Sequence, residues 1–137
     1  MNAALPPLIL SSHDVRRLEA LLATPAGAAS PMATRLEGEL ARADVREPTA
    51  MPADVVTMHS EVTCIDEGSG VERRLTLVYP GESVGDAARV SVLAPVGAAL
   101  LGLSVGQAID WPMPDGRSTR LRVTAVLDQP EAHGRLD

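Results

Sequence analysis

The stretch from Val90 to Trp111, V-S-V-L-A-P-V-G-A-A-L-L-G-L-S-V-G-Q-A-I-D-W, constrains this chain more than any other, because it is both strongly apolar and sharply punctuated. Val90, Val92 and Leu93 read as a buried strand that must stop at Pro95, since proline has no N–H to give to a ladder. Proline suits the first turn of a helix, so Pro95 opens a short apolar helix over Val96–Leu101, and Gly102 stands where a helix C-cap glycine belongs. Leu103-Ser104-Val105-Gly106 then leads into a second strand, Ala108 to Trp111. A strand, a helix of one to two turns and another strand make an α+β core element. Two readings of it stay open. Val96, Leu100 and Leu101 simply cover a sheet, as apolar residues mostly do, or the small residues of Ala94-Pro95-Val96-Gly97-Ala98-Ala99 hold the backbone near the surface for a partner helix.

Before this element the periodicity is helical. Met1 to Leu8 reads as an irregular lead, with a short extended piece at Leu8-Ile9-Leu10. Ser11 and Asp14 have capping-box spacing, and Val15, Leu18, Leu21 and Leu22 then share one helical face up to Ala23. Thr24-Pro25-Ala26-Gly27 breaks that helix, and Ser30-Pro31 starts a second, with Met32, Leu36, Leu40 and Ala43 inward and Arg35, Glu37, Glu39 and Arg42 facing water. The two make an antiparallel hairpin with arms of about 20 Å. Val45 to Pro52, with Pro48 and Pro52, reads as a linker.

After the linker the period changes to two. Strands are expected at Val55–Met58, Glu61–Ile65, Arg73–Tyr79 (Leu75, Leu77 and Tyr79 on one face) and Thr119–Leu127 (Leu121, Val123 and Ala125 inward). Turns fall at Asp66–Gly70 and Pro112–Gly116, and a polar loop at Glu82–Arg89. The expected organisation is a helical hairpin over residues 1–47 and an α+β domain over residues 48–137.

The 137 residues suffice for one ordinary domain or a small domain with an appendage, and 45% hydrophobic residues can supply its core. No apolar run is long enough to cross a membrane and no signal peptide is visible, which makes a cytoplasmic protein the default. A net charge of −6, with neither half basic, argues against direct nucleic-acid binding. Cys64 is the only cysteine, so no disulfide or thiolate cluster forms, and a buried inert thiol is expected. His13, His59 and His133 lack metal-ligand spacing, and adjacent His59 and Ser60 on a strand would point to opposite faces. Without lysine a phosphate-binding P-loop is excluded, and the Asp66-Glu67 pair lies in a solvated turn. Neither a catalytic constellation nor a cofactor site emerges.

Three steps of the central stretch, Ala94-Pro95, Ala99-Leu100-Leu101-Gly102 and Gly106-Gln107, resemble in order the Ser-Pro, Ala-Leu-x-Gly and Gly-Asp steps in the C-terminal domain of the bacterial GreA/GreB transcript cleavage factors. Asp54-Val55-Val56, Ser60-Glu61-Val62, Leu75-Thr76-Leu77-Val78 and Pro114-Asp115-Gly116 extend the resemblance. Met51–Met58, Leu77-Val78-Tyr79-Pro80, Ala94–Leu103 and Gln129-Pro130-Glu131-Ala132 are similar to a branch of that family, the Gre-like regulators of nucleoside diphosphate kinase, and with the short helical hairpin this covers nearly the whole chain.

The resemblance implies an α+β fold, a short N-terminal antiparallel helical hairpin followed by an FKBP-like antiparallel sheet domain with one short helix. It also implies binding to RNA polymerase near the mouth of its secondary channel, through Ala94, Pro95, Val96, Gly97 and Leu100. Ala94 replaces the family's serine and removes one hydroxyl from that contact. Transcript cleavage in the family needs acids at the hairpin tip to help hold Mg²⁺. Here Thr24–Ser30 carries no carboxylate and the arms are shorter, so cleavage is not expected. The expectation is a monomeric, cofactor-free, non-catalytic regulator that binds polymerase, competes with Gre-type factors and influences nucleoside diphosphate kinase levels. The alternatives are a direct protein regulator of that kinase and an FKBP-like peptidyl-prolyl isomerase. Against the isomerase stands its need for an aromatic-lined pocket, because this chain has no Phe and only Tyr79 and Trp111.

Overall fold

The computed structural model describes residues 6–82, 85–112 and 115–135; the expected lead over residues 1–5 and the centre of the 112–116 turn lie outside them. Leu8, just before a short strand, and Leu10 within it are buried; this strand, β1 (Ile9–Ser11), runs straight into α1 (Ser12–Ala23). Ser11 caps α1 as its spacing predicts, its Oγ accepting the Asp14 N–H at 3.0 Å. The expected break is itself a single helical turn, α2 (Pro25–Ala28), capped by Thr24 Oγ1, which accepts the Gly27 N–H. The second arm, α3 (Ala33–Arg42), begins later than Ser30-Pro31, with Met32 at its N-cap and no side-chain cap. Ser30 Oγ instead accepts the Met32 N–H at 3.2 Å, so the Ser-Pro pair shapes the turn before the helix.

The linker reading is corrected at its start. Asp44–Arg46 forms a strand, β2, paired in parallel with β1 in the register Ile9↔Asp44, Leu10↔Val45 and Ser11↔Arg46. All three β2 residues are exposed, so no alternation of apolar and polar residues marks the strand. A 3-10 turn at Pro48–Ala50 follows.

The main sheet comprises β3 (Glu61–Asp66), β4 (Glu72–Val78), β5 (Arg89–Ser91), β6 (Ala108–Pro112) and β7 (Ser118–Asp128), in the order β5-β4-β3-β7-β6. The expected all-antiparallel sheet is corrected to a mixed one, because β5 lies parallel to β4 (Thr76↔Arg89, Val78↔Ser91). A parallel neighbour needs a crossover rather than a tight hairpin, and ten residues of sequence separate Val78 from Arg89. Two register shifts between β3 and β7, at Glu61/Val62 and Thr63/Cys64, bend the sheet. They turn Val126 toward the core and leave Leu127 exposed, with Ala125 half-buried between the two sides.

The expected strand at Val55–Met58 is not one. Only Val55 makes an isolated bridge, to Ser104, and the chain turns at Met58-His59, where His59 has φ 67°. Val55, Val56, Thr57 and Met58 are all buried, so their backbone groups need partners other than water. Val56 N–H donates to Leu103 C=O, Thr57 N–H to Ser60 Oγ and Met58 N–H to Asp14 Oδ2.

One hydrophobic cluster joins both halves: Leu8, Leu10, Leu18 and Leu36 of the hairpin meet Val56, Leu77, Leu100 and Trp111 of the sheet domain. Cys64 is buried within it, and burial pushes its thiol pKa up, as expected of an inert thiol. Among the described residues no helix is long and apolar enough to cross a membrane.

Candidate partner-binding site

The helix and second strand of the central stretch stand where its punctuation predicts, but the expected strand through Val92 and Leu93 is corrected: β5 ends at Ser91 and Val92-Leu93 form a turn before the helix. Ala94 is extended (ψ 149°), as a residue before proline must be, and Pro95 opens α4 (Pro95–Leu100). No side chain caps the helix, since Ala94 brings no hydroxyl. Gly102 adopts φ 83° just past the end, and a Cβ there would press within 3.2 Å of Leu8 and Leu10 side-chain carbons.

The five residues predicted to bind a partner divide into two groups. Ala94, Pro95 and Val96 are half-buried and form a lip at the surface. Gly97 and Leu100 lie beneath them, Leu100 with 0% exposure. A Cβ at Gly97 would overlap the Ser91 carbonyl oxygen and stand 3.1 Å from Leu77 Cδ1. The close approach that Gly97 permits is therefore that of the chain's own β5 segment, and Gly97 and Leu100 act by seating the lip.

Beside the lip the sheet opens into a groove of about 960 Å³ whose walls include Val96, Val71, Arg73, Leu121, Asp110 and Arg117. Sequence reasoning missed Val71 and Arg73, which flank a turn and look like ordinary solvent-facing residues. The available signal was the period-two pattern of β4, which places Arg73 on the same side as Leu75 and Leu77.

The hairpin is held to the sheet domain by polar groups at both arms. On α1, burial raises the Asp14 carboxyl to about pKa 6, partly offset by the Met58 N–H that it accepts at 3.1 Å. The Arg17 guanidinium lies 4.3 Å from the Tyr79 ring centroid, and Arg35 of α3 lies 5.3 Å from that of Trp111. Glu39, expected to face water, is only 5% exposed; burial raises its carboxyl to about pKa 8, against the opposing pull of Arg42, whose Nη2 is 3.6 Å away. Arg42 faces inward as well, donating from Nη1 to Pro6 C=O. Tyr79 and Trp111, both buried, thus meet different arms of the hairpin and line no common aromatic pocket. Among the described residues no three His, Cys, Asp or Glu side chains are grouped to hold a metal ion. His59, expected on a strand, sits at a turn and pairs through Nε2 with Glu82 Oε1 at 2.9 Å.

An elongation-factor domain carrying a short helical hairpin is the class of protein that this fold defines. Residues 51–128 match the family model "Transcription elongation factor, GreA/GreB, C-term", and residues 6–45 match "Rnk N-terminus". The chain belongs to the GreA/GreB family, in the branch with an Rnk-type N-terminus. It is 46% identical over 129 residues to the "Regulator of nucleoside diphosphate kinase" of Escherichia coli (strain K12), covering 94% of this chain and 95% of that one. GreA of Azorhizobium caulinodans is 32% identical over 81 residues, and the match spans only 52% of that protein. Among solved structures, the GreA/GreB elongation factor from Nitrosomonas europaea superposes with a TM-score of 0.70 at 46% identity, covering 88% of this chain and 98% of that one.

Proposed function

We propose that this chain is a non-catalytic regulator of transcription that docks on RNA polymerase near the secondary channel through the start of α4. There it competes with Gre-type factors, and its influence on nucleoside diphosphate kinase runs through gene expression. The observation that carries this reading is the half-buried lip Ala94-Pro95-Val96, seated over buried Gly97 and Leu100, at the place where the GreA/GreB resemblance puts the polymerase contact. The hairpin tip supports the non-catalytic part. Thr24 to Ser30 offers hydroxyls, alanines and a proline but no carboxylate for Mg²⁺. Arginines over Tyr79 and Trp111 leave an isomerase reading without its aromatic pocket.

The test is a titration of core RNA polymerase with the full chain and with Val96→Glu. Val96 is half-buried on the lip, so a glutamate there can keep the fold yet places an unpaired carboxylate in the contact. Burying it costs several kcal/mol, and about 2.7 kcal/mol already lowers affinity a hundredfold. Folded Val96→Glu binding like the parent would overturn the assignment. The unsubstituted chain should also displace a Gre factor from polymerase without accelerating RNA cleavage in a backtracked complex.

A further inference from the structure

We infer that the turn following β7 is a strap that locks the helical hairpin onto the sheet domain. Gln129 and Glu131 of this turn fasten the loop 52–60, and the loop in turn fastens α1 through Asp14.

The loop before β3 is what makes such a strap necessary. Val55, Val56, Thr57, Met58 and Ser60 are buried without belonging to a strand, so groups from elsewhere in the chain must satisfy their backbone. β7 ends at Asp128, and the next residue, Gln129, is only 2% exposed. Its Nε2 donates to Pro52 C=O at 2.7 Å and to Val55 C=O at 2.8 Å, one bond for each N–H that the amide carries. The 3-10 turn Pro130–His133 then places Glu131 against Thr57, whose Oγ1 lies 2.7 Å from Glu131 Oε1 and 2.8 Å from Ser60 Oγ. A carboxylate only accepts, so the Thr57 hydroxyl donates to Glu131 and the Ser60 hydroxyl donates to Thr57 Oγ1. Ser60 Oγ also accepts the Thr57 N–H at 2.9 Å, which closes a hydrogen-bonded turn with one direction, each bond polarising the next.

The next residue carries the effect into the hairpin. Met58 N–H donates to Asp14 Oδ2 at 3.1 Å, and Asp14, 4% exposed, stands in the first turn of α1. His59 follows with φ 67°, the one non-glycine residue among those described that sits in the left-handed region. A side chain there is strained and persists only where its surroundings over-determine it. On one side His59 is fixed by its own N–H, which donates to Leu77 C=O, and by Nε2 against Glu82. On the other side the Thr57–Glu131 bond is the restraint. Losing that bond lets the strained turn relax, and the Met58 N–H moves off the buried Asp14 carboxyl.

Amide hydrogen exchange of the full, folded chain is measured for the parent, Thr57→Val, Glu131→Ala, Glu131→Gln and Arg135→Ala. Valine keeps the shape of Thr57 and removes only its hydroxyl, and Glu131 is half-buried, so the sheet's core stays packed. Thr57→Val and Glu131→Ala should each raise exchange at Met58 and along α1 at least tenfold, while amides of β3 and β4 change less than threefold. Glu131→Gln retains an acceptor oxygen for Thr57 and should stay within threefold of the parent. Arg135, exposed and paired with Asp128 beside the same turn, is the control, and Arg135→Ala should exchange like the parent. The emission of Trp111, covered by Arg35 of α3, should move to the red in Thr57→Val and Glu131→Ala alone. If exchange rises equally in α1 and in β3 and β4, the bonds add only to global stability and the strap inference is wrong. Unchanged α1 exchange in Thr57→Val and Glu131→Ala would also overturn it, as would a rise in Arg135→Ala or Glu131→Gln as large as theirs.

Discussion

Replacing Gly97 by alanine separates two views of α4 by the sign of one measurement. A solvent-facing helix position should gain about 1 kcal/mol from the change, because alanine is the better helix former. In this chain the new Cβ overlaps the Ser91 carbonyl oxygen and comes within 3.0 Å of its carbonyl carbon, and it meets Leu77 Cδ1 at 3.1 Å. Two of these atoms are backbone, so α4 or the segment after β5 must move, and Leu77, with 0% exposure, has no room to yield. Overpacking of a tight core costs about 1–3 kcal/mol; taking the upper end and subtracting the helix gain leaves a net loss of about 2 kcal/mol. Unfolding entropy of about 2.1 cal/mol/K per residue over 137 residues amounts to about 0.29 kcal/mol/K, so Tm should fall by about 7 °C. Calorimetry of the full chain reads this directly. Gly38→Ala is the matched control: its Cβ would meet nothing within 4 Å, and Tm should rise slightly. A Gly97→Ala chain with unchanged or raised Tm would refute the packing argument and return Gly97 to the list of partner contacts.

Four further outcomes are expected. Asp14 and Glu39 titrate at about 6 and about 8 in the folded chain, above their ordinary values of 3.8 and 4.5, so the folded state holds more protons than the unfolded one in between. Their contribution to stability is complete below about pH 4 and is lost as pH rises, Asp14's share by about pH 6 and Glu39's by about pH 8. Urea titrations should show Glu39→Gln flattening the fall between pH 6 and 8; an unchanged slope would mean that Glu39 is ionised throughout. Arg35→Ala should cost about 0.5–1 kcal/mol and shift the emission of Trp111, the only tryptophan, toward the red as its covering guanidinium is lost; an unmoved spectrum would count against that contact. Residues 48–137 expressed alone should still unfold cooperatively, but at a lower midpoint than the whole chain, because Leu8, Leu10, Leu18 and Leu36 leave the shared cluster; a fragment with no transition would make the hairpin part of the domain's own fold. Ser11→Ala should lower stability by about 1 kcal/mol through the lost α1 cap, whereas Ser30→Ala should cost less because Ser30 caps no helix.

Residues whose local chemistry leaves few choices were legible in the sequence. Pro95 and Gly102 bound α4, Ser11 caps α1, and Leu75, Leu77 and Tyr79 face the core as their alternation requires. What escaped depends on long-range partners. β2 has three exposed residues and exists because β1 lies beside it, a pairing thirty-five positions away in the register Ile9↔Asp44. Glu39 occupies a polar position in the helical pattern, and only the approach of the sheet domain buries it. Val55–Met58 has strand composition, yet its backbone partners are Leu103, Ser60 and Asp14, which no local pattern could reveal. The lip of the candidate site was readable because proline and alanine define it. Gly97 was read as a place for a partner's backbone when its neighbour is Ser91, six residues earlier.

The parallel pair β1–β2 gives the hairpin a fixed footing. The chain enters the arms from one strand and leaves them into its neighbour, with Ile9 N–H held by Gly102 C=O and Asp44 N–H by Leu8 C=O. Whatever is added between Ala23 and Ala33 changes the height of the arms and not their foundation. Seven residues inserted into each arm, about two helical turns, would raise the tip by about 10 Å and preserve which faces are apolar. Reach and grip are thus separable quantities in this architecture. The height of the tip can change by whole turns of helix while the strand footing and the surface of the sheet domain stay as they are.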